Sequence, residues 1–202
     1  MKTDAVIFDI GNVLVDWNPD FLLSKLLPDA DAIARFRMEA VTERRILAMD
    51  LGQSWDDQLA EIEADAPQHL ATATAYADRW VETISGAIQE SVDLLRAVRA
   101  RGIPVFALSN FGAENFAKTE SEYPFLKEFD DRVVSAYVGM IKPDPQIYRL
   151  AIDRFGVDPA ATLFIDDRPE NIAAAVECGL QGHLFRDGAT LRADLNARAL
   201  AG

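Results

Sequence analysis

Four short stretches of this chain carry residues able to do chemistry. Asp9 ends the apolar run of residues 5–8 and is followed by Gly11-Asn12. Ser109-Asn110 ends the apolar run of 103–108, and Asp166-Asp167 ends that of 162–165. Lys142 lies in Ile141-Lys142-Pro143-Asp144-Pro145, where prolines stiffen the backbone around it. Each group alone has an ordinary structural use. A strand-end Asp, Ser or Asn can bond its own turn, and a loop lysine can simply be solvated. The adjacent pair Asp166-Asp167 is harder to explain that way, because neighbouring carboxylates repel each other. A hard cation removes that penalty, and magnesium takes oxygen ligands of this type. Glu170 and Asn171 could cap the next helix or support the pair from behind.

Taken together, the set suits phosphoryl transfer through an aspartyl-phosphate. Asp9 is the expected nucleophile. Ser109 and Asn110 offer a hydroxyl and an amide to phosphate oxygens. Lys142, with Ser109, spreads the charge that develops on those oxygens. Asp9, Asp166 and Asp167 are the expected side-chain ligands of Mg2+, and water then cleaves the acyl-phosphate.

The elements that must position these residues are also legible. Apolar runs without alternation read as strands buried on both faces, as in a parallel sheet. Helical spacing covers 91–101, with Val92, Leu94, Leu95 and Val98 apolar and Gly102 as the stop. It recurs over 145–155, with Ile147, Leu150, Ala151 and Ile152 apolar, and over 172–178. A weak strand at 182–185 and a tail helix over 189–202 complete the pattern. Such alternation means an α/β fold with a doubly wound parallel sheet. Ligands then sit outside the carboxyl ends of the strands, so the polar run-ends meet on one rim.

Residues 17–84 break the alternation. Helices are expected near 19–27, 30–40, 42–50, 55–64 and 69–83, with no convincing strand, as an insertion after the first strand. Its most recognition-capable residues are Trp17, Asn18, Phe21, Arg44, Arg45 and Trp55. The aromatics are read as packing, and the arginines as solvated or paired with nearby acids. His69, His183 and Cys178 receive no role.

The 33 acidic and 20 basic side chains give a net charge of −13, which argues against nucleic acid as a partner. No apolar stretch approaches the ~18 residues of a membrane span, and Met1-Lys2-Thr3-Asp4 does not open a signal peptide. A single cysteine excludes an internal disulfide and fits a reducing, cytoplasmic setting. The expected partner is a small phosphorylated molecule. Oligomeric state is left open.

The chain resembles the haloacid dehalogenase-like (HAD) hydrolase superfamily. Phe8-Asp9-Ile10-Gly11-Asn12-Val13-Leu14 looks like its first motif and Leu108-Ser109-Asn110 its second. Ile141-Lys142-Pro143-Asp144-Pro145 looks like the third and Phe164-Ile165-Asp166-Asp167 the fourth. The Asp-x-Gly-Asn-Val form is similar to the branch containing α-D-glucose-1-phosphate phosphatases. Residues 139–167 also look like the phosphatase domain attached to epoxide hydrolases. The resemblance implies a Rossmann-like core over 1–16 and 85–202 and a helical cap over 17–84. It also implies a magnesium ligand in the backbone carbonyl of Gly11.

One position departs from the pattern. Phosphatases of this superfamily usually carry a second Asp, a general acid and base, where this chain has Gly11. Losing such help costs ~10²–10⁴ in rate. A sugar anomeric oxygen is an acidic leaving group and needs it less, which favours a sugar phosphate. Asp16 is an acid close enough in sequence to be a substitute, or equally a turn residue. Two rivals stand beside this reading. A 2-haloacid dehalogenase would use Asp9 on carbon without metal, leaving Asp166-Asp167 without purpose. A phosphate-binding or regulatory protein could have kept the fold and lost turnover at Gly11.

Overall fold

The computed structural model describes residues 2–200. Its centre is a five-stranded parallel sheet ordered β5-β4-β1-β6-β7. The strands are β1 (Ala5–Phe8), β4 (Val105–Ser109), β5 (Asp131–Val134), β6 (Thr162–Asp166) and β7 (Gln181–Leu184). Between β1 and β4 lie β2 (Val15–Trp17) and β3 (Ile84–Ala87), which pair antiparallel as a separate ribbon. Counted in chain order, the sheet runs 3-2-1-4-5, with the order reversing at β1. That reversal is where a doubly wound sheet opens its ligand crevice.

Both faces of the sheet are covered, which is why its three central strands β4, β1 and β6 read as apolar runs. Val6, Phe8, Val105, Ala107, Leu163 and Ile165 face one side. There they meet α6 (Gln89–Ala100) through Val92, Leu95 and Val98, and α11 (Gly188–Ala197) through Leu191 and Leu195. Ile7, Phe106, Leu108 and Phe164 face the other side. They pack on α9 (Pro145–Phe155) through Ile147, Tyr148 and Ala151, and on α10 (Pro169–Glu177) through Ala174 and Ala175. Two more helices, α7 (Ala113–Glu122) and the one-turn α8 (Ser135–Val138), follow β4 and β5.

The ribbon β2–β3 carries both ends of a helical segment. It holds α1 (Asp20–Leu26), α2 (Ala30–Glu39), α3 (Glu43–Asp50), α4 (Trp55–Asp65) and α5 (Leu70–Asp78). Capping fixes several starts: Asp29, Thr42 and Ser54 accept from the N–H groups of Ala32, Arg45 and Asp57. The helix expected over 69–83 is two elements, α5 and a 3₁₀ turn at Trp80–Thr83. Apolar burial runs unbroken from Ile10 and Leu14 through Leu22, Phe36, Met49, Tyr76 and Trp80. The segment is therefore seated on the rest of the chain. Trp55 adds polar ties, its Nε1 donating to Asn115 Oδ1 at 2.8 Å and its backbone N–H to Glu114 at 2.9 Å.

Three strands go beyond the sequence reading. β5 begins with Asp131 and Arg132, so this edge strand has no apolar run. β2 and β3 are short and half polar. The tail helix is observed as α11, and residues 201–202 of the expected span lie outside the described residues.

Candidate active site

β1 is flanked by β4 on one side and β6 on the other, with Phe8 level with Ala107 and Ile165. The residues just beyond these levels therefore share one edge. The Asp9 N–H extends the pairing by donating to Ile165 at 2.8 Å. Asp9 is only 7% exposed. Its Oδ1 accepts from the Ile10 N–H and from Ser109 Oγ, both at 2.7 Å, and lies 3.0 Å from Lys142 Nζ. Among the described residues its Oδ2 accepts no hydrogen bond. One oxygen is fixed and the other is left for chemistry. Burial pushes the Asp9 carboxyl up to about 6, with Asp166 adding to the rise and Lys142 and Ser109 opposing it.

Lys142 is 3% exposed. Its Nζ lies 2.6 Å from Asp166 Oδ2 and donates to the Leu108 carbonyl at 2.9 Å. With Asp9 this occupies all three ammonium protons. Burial alone would lower its pKa, but the two carboxylates outweigh that and raise it. Asn110 holds the loop: its Nδ2 donates to the Lys142 carbonyl at 2.9 Å and its Oδ1 accepts from the Lys142 N–H at 2.8 Å. The Asn110 side-chain amide, expected to face phosphate, also ties the Lys142 loop. Its Oδ1 and one Nδ2 proton are engaged by the lysine backbone, and among the described residues the second Nδ2 proton and the residue's own N–H are left for an anion.

Asp166 is fully buried. Its oxygens accept from Asn171 Nδ2 at 2.9 and 3.0 Å and from the Arg168 N–H at 2.8 Å. Asn171 is thus the residue that supports the acidic pair, while Glu170 pairs with Arg168. Asp167 is half-buried, and burial, with Asp166 beside it, raises its pKa. Asp9, Asp166 and Asp167 offer oxygens that all lie within 4.8 Å of one another. Three carboxylates thus face one buried lysine. That surplus of charge and its all-oxygen donor set fit a hard divalent cation.

Gly11 lies beside this cluster, and a Cβ there would meet nothing within 4 Å. Crowding does not explain the absence of an acid at that position. Asp16 is no substitute, since it is exposed on the β2–β3 ribbon and accepts from the Ser85 hydroxyl. The carboxylate that sequence reading missed is Asp50, the last residue of α3. It is half-buried and close enough to Asp9 and Lys142 to feel both charges. The one sequence signal is its place at a helix C-terminus, where the macrodipole disfavours an anion.

Of the other nominated residues, Trp17 stacks towards Trp80 at 6.2 Å between ring centroids. Asn18 caps the Asp20 N–H, Arg44 pairs with Glu61, and Arg45 is buried. His69 pairs with Glu39 and His183 with Asp194. Two open grooves on the surface, one along α9 and one beside Phe21 and Tyr123, are lined by none of Asp9, Ser109, Lys142, Asp166 or Asp167.

The chain is similar to known proteins over most of its length. The family model for haloacid dehalogenase-like hydrolases matches residues 3–179. A sesquiterpene phosphatase of Aspergillus oryzae is 29% identical over 192 residues, 92% of each chain. A D-ribitol-5-phosphate phosphatase of Bacteroides thetaiotaomicron is 24% identical over 94% of this chain and 95% of its own. An (S)-2-haloacid dehalogenase of Pseudomonas fluorescens is 29% identical over 67% of this chain and 53% of its own. Among solved structures, a HAD family enzyme of Bacteroides thetaiotaomicron in complex with magnesium and inorganic phosphate superposes with a TM-score of 0.72. It is 19% identical and covers 92% of this chain and 96% of its own, which is a likeness of fold.

Proposed function

The chain belongs to the haloacid dehalogenase-like hydrolases, and on that footing we propose that it is a magnesium-dependent phosphatase of a small phosphomonoester. One observation carries the reading: Asp9 has one oxygen held and one open, beside a buried lysine outnumbered by carboxylates. The open oxygen of Asp9 attacks phosphorus and forms an aspartyl-phosphate. Ser109 Oγ and Lys142 Nζ, already on the same carboxylate, turn to the phosphoryl oxygens and stabilise their charge. The backbone N–H of Asn110 joins them, and its side chain keeps the Lys142 loop in place. Asn171 fixes Asp166 from behind. Asp9, the Gly11 carbonyl, Asp166 and Asp167 would hold the cation. When bound, Mg2+ neutralises the anions that must otherwise meet.

We further assign residues 17–84 as a cap on a core of 1–16 and 85–202. The apolar seat of the helical segment and the low exposure of Asp9 describe a closed site, so the segment must lift to admit substrate. A sugar phosphate with an anomeric leaving oxygen is favoured, in keeping with the acid missing at Gly11. The net charge of −13 disfavours nucleic acid, and no helix among the described residues is long and apolar enough to cross a membrane. One free thiol suits a reducing compartment such as the cytoplasm.

A phosphate-release screen over sugar phosphates, with and without Mg2+, tests the reading. Release that depends on Mg2+ and disappears in Asp9→Asn supports it. Halide release from a 2-haloacid without metal would instead support the dehalogenase reading, which the dehalogenase relative keeps in view. Ligand binding with no phosphate release, acetyl phosphate included, would make the chain a binding protein.

A further inference from the structure

We propose that Asp50, carried by the helical segment, is the general acid and base that the core lacks at Gly11. The inference rests on the phosphatase reading above. Three features of Asp50 are structurally unfavourable together. It is the last residue of α3, at the negative end of the helix dipole. It is half-buried, yet among the described residues its carboxyl accepts no hydrogen bond and makes no ion pair. It shares its surroundings with the anion Asp9. A carboxylate kept under such conditions without a structural partner has the profile of a functional group.

The backbone around Asp50 is pinned on both sides. Met49 is buried and packs on Gly112, just after the Ser109-Asn110 strand end: a Cβ on Gly112 would lie 3.6 Å from the Met49 Cβ. Gly52 has a φ of +109°, and a Cβ there would come within 2.9 Å of the Ala136 carbonyl. That approach admits no side chain and brings the end of α3 down onto α8. Between these anchors Asp50 is presented to the charges of Asp9 and Lys142. Burial, helped by Asp9 and opposed by Lys142, lifts its carboxyl to about 7, a value suited to donating a proton at neutral pH.

The proton balance is complete without another reactant. As Asp9 forms its bond to phosphorus, the bond from phosphorus to the leaving oxygen breaks. That oxygen keeps the electron pair and takes the Asp50 proton. In the second step water attacks phosphorus, the Asp9 oxygen leaves with its pair, and Asp50 takes the water proton. Because the acid arrives on the helical segment, it is in place only while that segment is closed.

The test compares phenyl phosphate with 4-nitrophenyl phosphate in the full-length protein with Mg2+. Asp50→Asn is expected to lose ~10²–10⁴ in kcat/KM on phenyl phosphate and less than about tenfold on 4-nitrophenyl phosphate, whose leaving group needs little protonation. Adding Gly11→Asp, where a Cβ meets open space, is expected to recover part of the phenyl phosphate rate. A thermal melt shows whether Asp50→Asn folds, and Asp50→Ser repeats the comparison if it does not. An equal loss on both substrates, or no loss on either, overturns the proposal. Wild-type protein that releases phosphate from neither ester nor from acetyl phosphate would overturn the phosphatase reading itself, and Asp50 with it.

Discussion

Among the described residues two cations are buried, one in the sheet core and one in the helical segment, and their company differs. Lys142 is 3% exposed and Arg45 is 4% exposed. Arg45 donates to the carbonyls of Glu39 and Ala40 near the C-terminus of α2, at 2.9 and 3.3 Å, and to Asp65 at 2.8 Å. Its acidic partners Asp65 and Glu61 reach solvent. Lys142 instead faces Asp9 and Asp166, both buried, with Asp167 close by. The arginine closes a local account of carbonyls at a helix end. The lysine leaves negative charge over. Burial of a charge therefore does not mark a site by itself, and an uncompensated surplus around it does.

The comparison breaks first on Asp9. Asp9→Asn is expected to reduce turnover by roughly 10⁴-fold or more, as loss of a nucleophile does, while its melting temperature holds or rises because a buried anion is gone. A clear loss of stability in that variant would mean that Asp9 is structural. Lys142→Met leaves buried carboxylates unpaired and is expected to cost about 3–5 kcal/mol in denaturant unfolding, part of it restored by Mg2+. Arg45→Met is expected to cost roughly 2–4 kcal/mol, because helix-end carbonyls lose a donor. Its kcat per folded molecule should match the wild type, and a fall in kcat would put Arg45 in the site after all. Saturating Mg2+ is expected to stabilise the wild type by about 2.7 kcal/mol at a hundred times its Kd, and Asp167→Asn much less. The smallest effect is on pH. Asp9 rises from 3.8 to about 6, so the metal-free fold holds its proton more tightly than the unfolded chain. Without Mg2+ this group adds stability as pH falls from about 6 towards 4. With Mg2+ the sign reverses, because the cation needs the ionised carboxylate, and the Mg2+-induced rise in melting temperature should shrink below pH 6.

The same contrast explains what could be read in advance. Residues 5–8, 105–108 and 162–165 announce themselves because both faces of their strands are covered, so every side chain but that of Thr162 is apolar. Their polar ends then follow from the rule that sheet ligands sit beyond the carboxyl ends. The pairing of Arg45 with a nearby acid was readable and is met by Asp65, but its burial, like the enclosure of Asp50, was not. Each sits in a helix whose pattern predicts an exposed polar residue, and only packing between distant parts of the chain encloses them. Asn110 shows a third limit. Its place just beyond the end of β4 was legible, but which partner an amide chooses is settled by the neighbouring loop, here the peptide of Lys142.

The ribbon of Val15–Trp17 and Ile84–Ala87 has one more consequence. Because departure and return lie side by side, everything from residue 18 to 83 hangs from the sheet at a single doorway. A graft at that doorway would exchange the whole intervening stretch without shifting the register of β1, provided that the newcomer brought its own oily underside. If Asp50 acts as inferred, such a transplant would replace the proton source together with the substrate-facing surface. Selectivity and leaving-group range would then be inherited as one package.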